Sequence, residues 1–253
     1  MTGTIHVEVV VGTALAAGAY VAAWRAAEAR VDPGRAVAFV AALVALLVAS
    51  NGPIHDLGER ALFSVHMIQH LLLTLVVAPL LLAGLPAFMV DALLAVPLAR
   101  PVPRWILSTA TRPVPALALY AVALFVWHLP PVYEAALRSH ALHLLAHATL
   151  LASAVLAWWP IASPSRRLPP LPYAARILYL FVFGMPMTVV AAMITGAEQA
   201  LYPFPGGTPG VTGMTPLEDQ RLGGILMWVP AGLIPLLAFT AVYFRWAAAE
   251  AEE

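Results

Sequence analysis

Long apolar runs separated by short polar, Gly-rich or Pro-rich breaks dominate this chain, and none shows the period-2 alternation of a barrel strand. Seven of them predict membrane-spanning helices, at about residues 5–24, 36–49, 62–83, 116–127, 139–159, 174–195 and 222–245. Crossing a bilayer as a helix takes roughly 20 apolar residues, so the shorter runs call for tilt or an early start, the second near Pro33. The first run has neither a basic flank nor a cleavage site, and it reads as a retained helix rather than a signal peptide. The expected fold is therefore all-α: a single seven-helix transmembrane domain over residues 1–253.

The breaks carry their own signals. Ser50-Asn51-Gly52-Pro53 ends the second run as a strong turn, and Pro203 to Thr215 reads as a loop without a core of its own. Between Gly84 and Pro115 prolines are dense, which predicts an interfacial connector with a short helix near Ala87 to Val96. Pro79, Pro186, Pro230 and Pro235 fall inside spans, where a kink is tolerated if neighbours re-satisfy the backbone.

Arginine sets the orientation. Arg25, Arg30, Arg35, Arg100, Arg104, Arg112, Arg166, Arg167, Arg176 and Arg245 flank one set of helix ends, and only Arg60, Arg138 and Arg221 flank the other. The positive-inside rule then puts the N-terminus outside and the C-terminus in the cytoplasm.

Composition narrows the chemistry. Hydrophobic residues make up 62% and charged ones 10%, far from the roughly 25% charged content of soluble domains, so the surrounding partner is the lipid bilayer. A formal net charge of zero leaves no basic surface for nucleic acid. The sequence has no cysteine, which excludes disulfides, thiolate metal sites and c-type haem attachment. All 13 basic residues are arginine, so the lysine that a retinal Schiff base requires is missing.

Histidine is where polar chemistry enters the spans. His66 and His70 lie four residues apart at the head of the third run, and His143 and His147 repeat that spacing in the fifth. On a helix each pair leaves one face, with Cβ atoms about 5–6 Å apart. Counting back from the inner boundaries at about 1.5 Å per residue places His66, His143 and His6 at roughly 25–27 Å and His70 and His147 at roughly 20 Å. Both runs descend from the outside, so the two pairs can meet at one depth and share a metal ion.

Around these four first-choice ligands stand weaker candidates: His128, His140, His6, Asp56, Met193 and Met227. Asp56 also reads as the cap of a helix starting near Leu57, with Glu59 completing a capping box. The methionines fall near the upper histidine level, where a thioether would suit copper(I). Gln69, Asp219 and Gln220 are candidates for orienting ring N–H groups or for contacting a partner. With imidazole and optional thioether donors and no thiolate, the site suits copper first and zinc next, and two histidines from different helices leave haem as a further possibility.

A set of motifs gives these residues a context. Asn51 to Asp56 leads into His66-Met67-Ile68-Gln69-His70. Ala78-Pro79-Leu80, Gly84-Leu85-Pro86 and Trp127-His128-Leu129-Pro130-Pro131-Val132-Tyr133 follow. Then come His143 and His147 leading to Trp158-Trp159-Pro160, and Pro216-Leu217-Glu218-Asp219-Gln220-Arg221-Leu222-Gly223-Gly224 ahead of Met227-Trp228. Taken in order over residues 50 to 245, this pattern resembles the seven-helix caa(3)-type cytochrome c oxidase assembly factors, the CtaG family of bacterial membrane proteins. An unrelated single-span copper chaperone of the same name relies on cysteines, and this chain has none. The resemblance implies a non-enzymatic role in maturing the haem-copper oxidase, by receiving copper from a donor on the outer side and supplying it to the oxidase catalytic subunit. His140 is an additional histidine that the family pattern does not assign.

Two other classes remain open from sequence alone. One is a haem-bearing electron carrier or quinol oxidoreductase. The other is a metal or proton transporter, which would need polar residues continuing below His70 and His147, where both runs are almost entirely apolar.

Overall fold

The structure is a computed structural model describing residues 4–28, 30–95, 104–202 and 212–252. Every regular element among them is helical: α1 (Val7–Ala26), α2 (Pro33–Ser50), α3 (Gly52–Arg60), α4 (Phe63–Leu71), a π-helical turn (Leu72–Val77), α5 (Ala78–Gly84), α6 (Ala87–Ala95), α7 (Arg104–Ala110), α8 (Pro113–Trp127), α9 (Pro130–Arg138), α10 (His140–Ala162), α11 (Tyr173–Phe183), α12 (Met185–Gly196) and α13 (Pro216–Ala251). Most of the expected Pro203 to Thr215 loop lies outside the described residues.

Six helical stretches are long and apolar enough to cross a membrane: α1, α2, α4 through α5, α10, α11 with α12, and α13. The seventh is divided. α8 alone covers about 22 Å at the helical rise, and it meets α9 at a bend of 74° around His128 and Leu129. Pro130 and Pro131 cannot continue the α8 ladder, so the chain turns and α9 restarts with proline in its first turn.

Many large apolar side chains point away from the core, among them Leu15, Val37, Leu178, Phe181, Leu236 and Phe244. Such a surface is what lipid requires of a spanning bundle. The interior is built on α4, α10 and α13. α13 packs on α4, α11 and α12, while α10 packs on α8, the π-helical turn and α5. Gly223 lets α13 approach α4, since a Cβ there would lie 2.5 Å from the Phe63 ring.

Pro79 explains the π-helical turn. It has no N–H to donate and clashes with the carbonyl one turn earlier, and the ladder answers by widening, with the Ala78 N–H donating to Leu73 O, five residues back. The Thr74 carbonyl left over accepts from Trp158 Nε1 at 2.9 Å. The kink expected at Pro79 is thus a bulge whose freed carbonyl is satisfied from α10.

Candidate metal centre

Four elements converge at the end of the bundle where α4 and α10 begin. His66 and His70 leave one face of α4, with their Nε2 atoms 3.1 Å apart. His143 and His147 do the same on α10, also at 3.1 Å. The pairs face each other: ring centroids are 5.3 Å apart for His66 and His143, 5.9 Å for His66 and His147, and 5.4 Å for His70 and His147. All four are buried. Donor nitrogens of His66, His70 and His147 lie within 4.8 Å of one another, and His66, His70, His143 and His147 line a void of about 10 Å³. That is room for a bare ion or a single water. In a tetrahedral set with metal–nitrogen bonds of about 2.0–2.1 Å, neighbouring donors stand about 3.3 Å apart, close to the spacing within each pair.

Outer partners settle where protons sit. His128 Nδ1 faces the Leu124 carbonyl at 2.7 Å, which can only accept, so His128 Nε2 keeps a lone pair. That lone pair faces His70 Nδ1 at 3.4 Å, which places the His70 proton on Nδ1 and aims the Nε2 lone pair at His66. The His128 carbonyl in turn accepts from Tyr202 Oη at 2.5 Å. On the other side Glu59 Oε1 stands 3.2 Å from His143 Nδ1 and 3.1 Å from His55 Nε2. A carboxylate behind an imidazole holds its proton on that side and sharpens the donor on the other. His66 Nδ1 is buried without a hydrogen-bond partner, and the Glu59 contacts to His143 Nδ1 and His55 Nε2 are close charge contacts rather than formed hydrogen bonds.

Gln69 completes the frame. Its amide nitrogen donates to the Ala49 carbonyl at 2.8 Å and reaches His55 Nδ1 at 3.1 Å, which fixes the His55 proton on the side of Glu59. His55 and Glu59 share one face of α3 at i,i+4; the sequence pattern suggests a turn at His55 and a capping-box role for Glu59, so neither stands among the expected ligands or their supports. Their signal was there: a histidine and a glutamate at helical spacing just after Pro53, which suits a first helical turn.

Several sequence expectations are corrected. α3 begins at Gly52 rather than near Leu57, so Asp56 caps nothing. Instead its carboxylate accepts from the Thr4 N–H at 3.0 Å, and hydrogen bonding by the Thr4 side chain, with that N–H adding to it, outweighs burial and holds the carboxyl below its ordinary range. Met193 is 64% exposed on the outer face of α12, and Met227 is packed in the apolar core, so neither thioether joins the imidazole group. Among the described residues the hydrogen bonds of Asp219 go to no imidazole: it accepts from the Phe63 and Ser64 backbone N–H groups at 2.7 and 3.2 Å and from the Ser64 hydroxyl at 2.5 Å. It therefore caps the otherwise uncapped α4 from a different helix. Gln220 accepts from Leu201 N and donates to Ile194 O, tying α13 to the end of α12. His6 and His140 lie above the buried group, on either side of Glu8.

Below the centre the Thr74 hydroxyl donates to the His70 carbonyl and the Ser153 hydroxyl to the Leu150 carbonyl.

The family model described as cytochrome c oxidase caa3 assembly factor (Caa3_CtaG) matches residues 18–249. An uncharacterised protein of Mycobacterium leprae is 27% identical over 230 residues, covering 85% of this chain and 34% of that protein. Uncharacterised proteins of Mycobacterium bovis and Mycobacterium tuberculosis are each 26% identical over 232 residues, with the same coverage. The chain thus spans about a third of the length of these curated relatives. No solved structure matches it.

Proposed function

The chain belongs to the cytochrome c oxidase caa3 assembly factor family, and on that premise we propose that it holds a copper ion between α4 and α10 and hands it to the oxidase catalytic subunit. The observation that carries this reading is the meeting of His66, His70 and His147 nitrogens within 4.8 Å, with Glu59 and His128 orienting the flanking rings. Imidazole donors without thiolate or thioether suit copper or zinc, and an oxidase assembly role favours copper. The ion is cargo rather than a catalytic cofactor, which fits a protein that is no enzyme.

Transfer requires an exchangeable set, and three or four neutral imidazoles without a thiolate among them supply one. The histidine end is taken as extracytoplasmic in a bacterial cytoplasmic membrane, because the arginine-rich ends lie opposite. A copper donor and the oxidase subunit would then both approach from outside. A haem shared by the two pairs would need its macrocycle in a void of about 10 Å³, which disfavours the electron-carrier reading. The almost entirely apolar stretches that follow His70 and His147 disfavour a transport path.

The test is metal analysis of purified protein loaded with copper, beside His66→Ala and His147→Ala. Loss of the tightly held copper in both variants is expected, and full retention in both would overturn the reading.

A further inference from the structure

All eight histidines of the chain form one connected string. Ring centroids run from His140 to His6 at 5.1 Å, His6 to His55 at 4.2 Å, His55 to His143 at 5.4 Å, and on through His147 and His66 to His70 and His128. One end is exposed and the other buried. At the exposed end Glu8 Oε1 lies 3.2 Å from His6 Nδ1 and 2.9 Å from His140 Nε2.

From this arrangement we propose that His6, Glu8 and His140 form a second metal site, for a divalent copper ion, which loads the buried centre. Its loading role rests on the buried centre being the destination. The three donor atoms lie within 4.8 Å of one another, and two imidazoles with one carboxylate make a harder set than the all-imidazole centre, better suited to copper(II). The side chains of Glu8 and His140 are 42% and 58% exposed, so a hydrated ion can reach them.

The placement is built rather than accidental. Residues 4–6 are clamped to the corner between α2 and α3 by three hydrogen bonds: Thr4 N to Asp56 Oδ2, His6 N to Asn51 Oδ1 and Gly52 N to Thr4 O. These hold the His6 ring against His55. His6 Nε2 is buried without a hydrogen-bond partner. His140 comes from the first turn of α10, so Glu8 bridges elements 132 residues apart.

One largely apolar cavity of about 300 Å³ is lined by His6, Glu8 and His140 of the outer site and also by His55, His143 and His147. An ion leaving the outer carboxylate thus has imidazoles of the buried pair within the same cavity.

The test titrates the full chain with Cu²⁺ alone, counting bound copper after desalting and recording electron paramagnetic resonance spectra. Glu8→Gln with His140→Ala alters exposed side chains, and it should remove one equivalent, abolish a mixed nitrogen–oxygen copper(II) signal and slow filling of the buried centre. His66→Ala with His147→Ala should keep that signal. Equal stoichiometry and unchanged spectra in Glu8→Gln/His140→Ala would overturn the second site. If instead that variant loses its equivalent while His66→Ala/His147→Ala binds as the wild type does, the outer site stands and the buried centre falls.

Discussion

Glu59 Oε1 stands 3.2 Å from His143 Nδ1, and the Nε2 atom of the same ring lies 3.1 Å from His147 Nε2. The carboxylate thus sits behind the ring and the neighbouring imidazole in front. A glutamine there keeps the size but loses the charge that favours a proton on Nδ1. Glu59→Gln should weaken copper binding about 10–100-fold, read by competition with a chelator of known affinity. An unchanged affinity would reduce Glu59 to a packing residue.

The same carboxylate predicts an acid limit. Burial pushes its pKa up, but the short contact to His55 and the charges of nearby imidazoles outweigh this and hold it below the ordinary value of 4.5. A depressed folded pKa means that the stabilisation is complete above 4.5 and is lost as the pH falls through the folded value. In metal-free protein, any excess thermal stability of the wild type over Glu59→Gln due to this charge should hold down to about pH 4.5 and shrink below it. An excess that disappears between about pH 8 and 6 would point to imidazole titration instead.

Asp219 carries the N-terminus of the histidine helix. Asp219→Ala removes three acceptor contacts and leaves buried N–H groups bare, at a cost of roughly 2–4 kcal/mol. Chemical unfolding in detergent measures this. Asp219→Asn should recover part of the loss, since one side-chain oxygen still accepts.

Gly58 sets the distance between α3 and α4. A Cβ there would stand 2.7 Å from Gln69 Oε1 and 3.1 Å from the His66 backbone. Gly58→Ala should cost about 1–3 kcal/mol as an overpacked contact and shift His55 and Glu59 away from His143, lowering copper affinity as well. A variant with wild-type stability and affinity would show that α3 can slide freely.

Met193 offers a control. Exposed on α12, it should tolerate Met193→Leu within about 0.5 kcal/mol with copper binding unchanged, measured by the same chelator competition.

The sequence makes the paired histidines legible because i,i+4 spacing and depth along a helix are local quantities, and both survive in the structure. Long apolar runs likewise announce the spans, although the α8–α9 bend shows that a 15-residue run stops short of a full crossing. What sequence could not supply was partnership across distance. Asp219 and Ser64 are separated by 155 residues, and nothing local distinguishes an aspartate that caps a remote helix from one that orients a ring. His55 and Glu59 were hidden differently: Asn51, Gly52 and Pro53 favour a turn, and α3 begins inside that same signal.

Because no histidine lies outside the string, isotopic labelling of that residue type alone would light up this assembly and leave the remainder of the protein dark. Eight resonances would then report, from the water-facing ring to the most sheltered one, the order in which an arriving ion is felt.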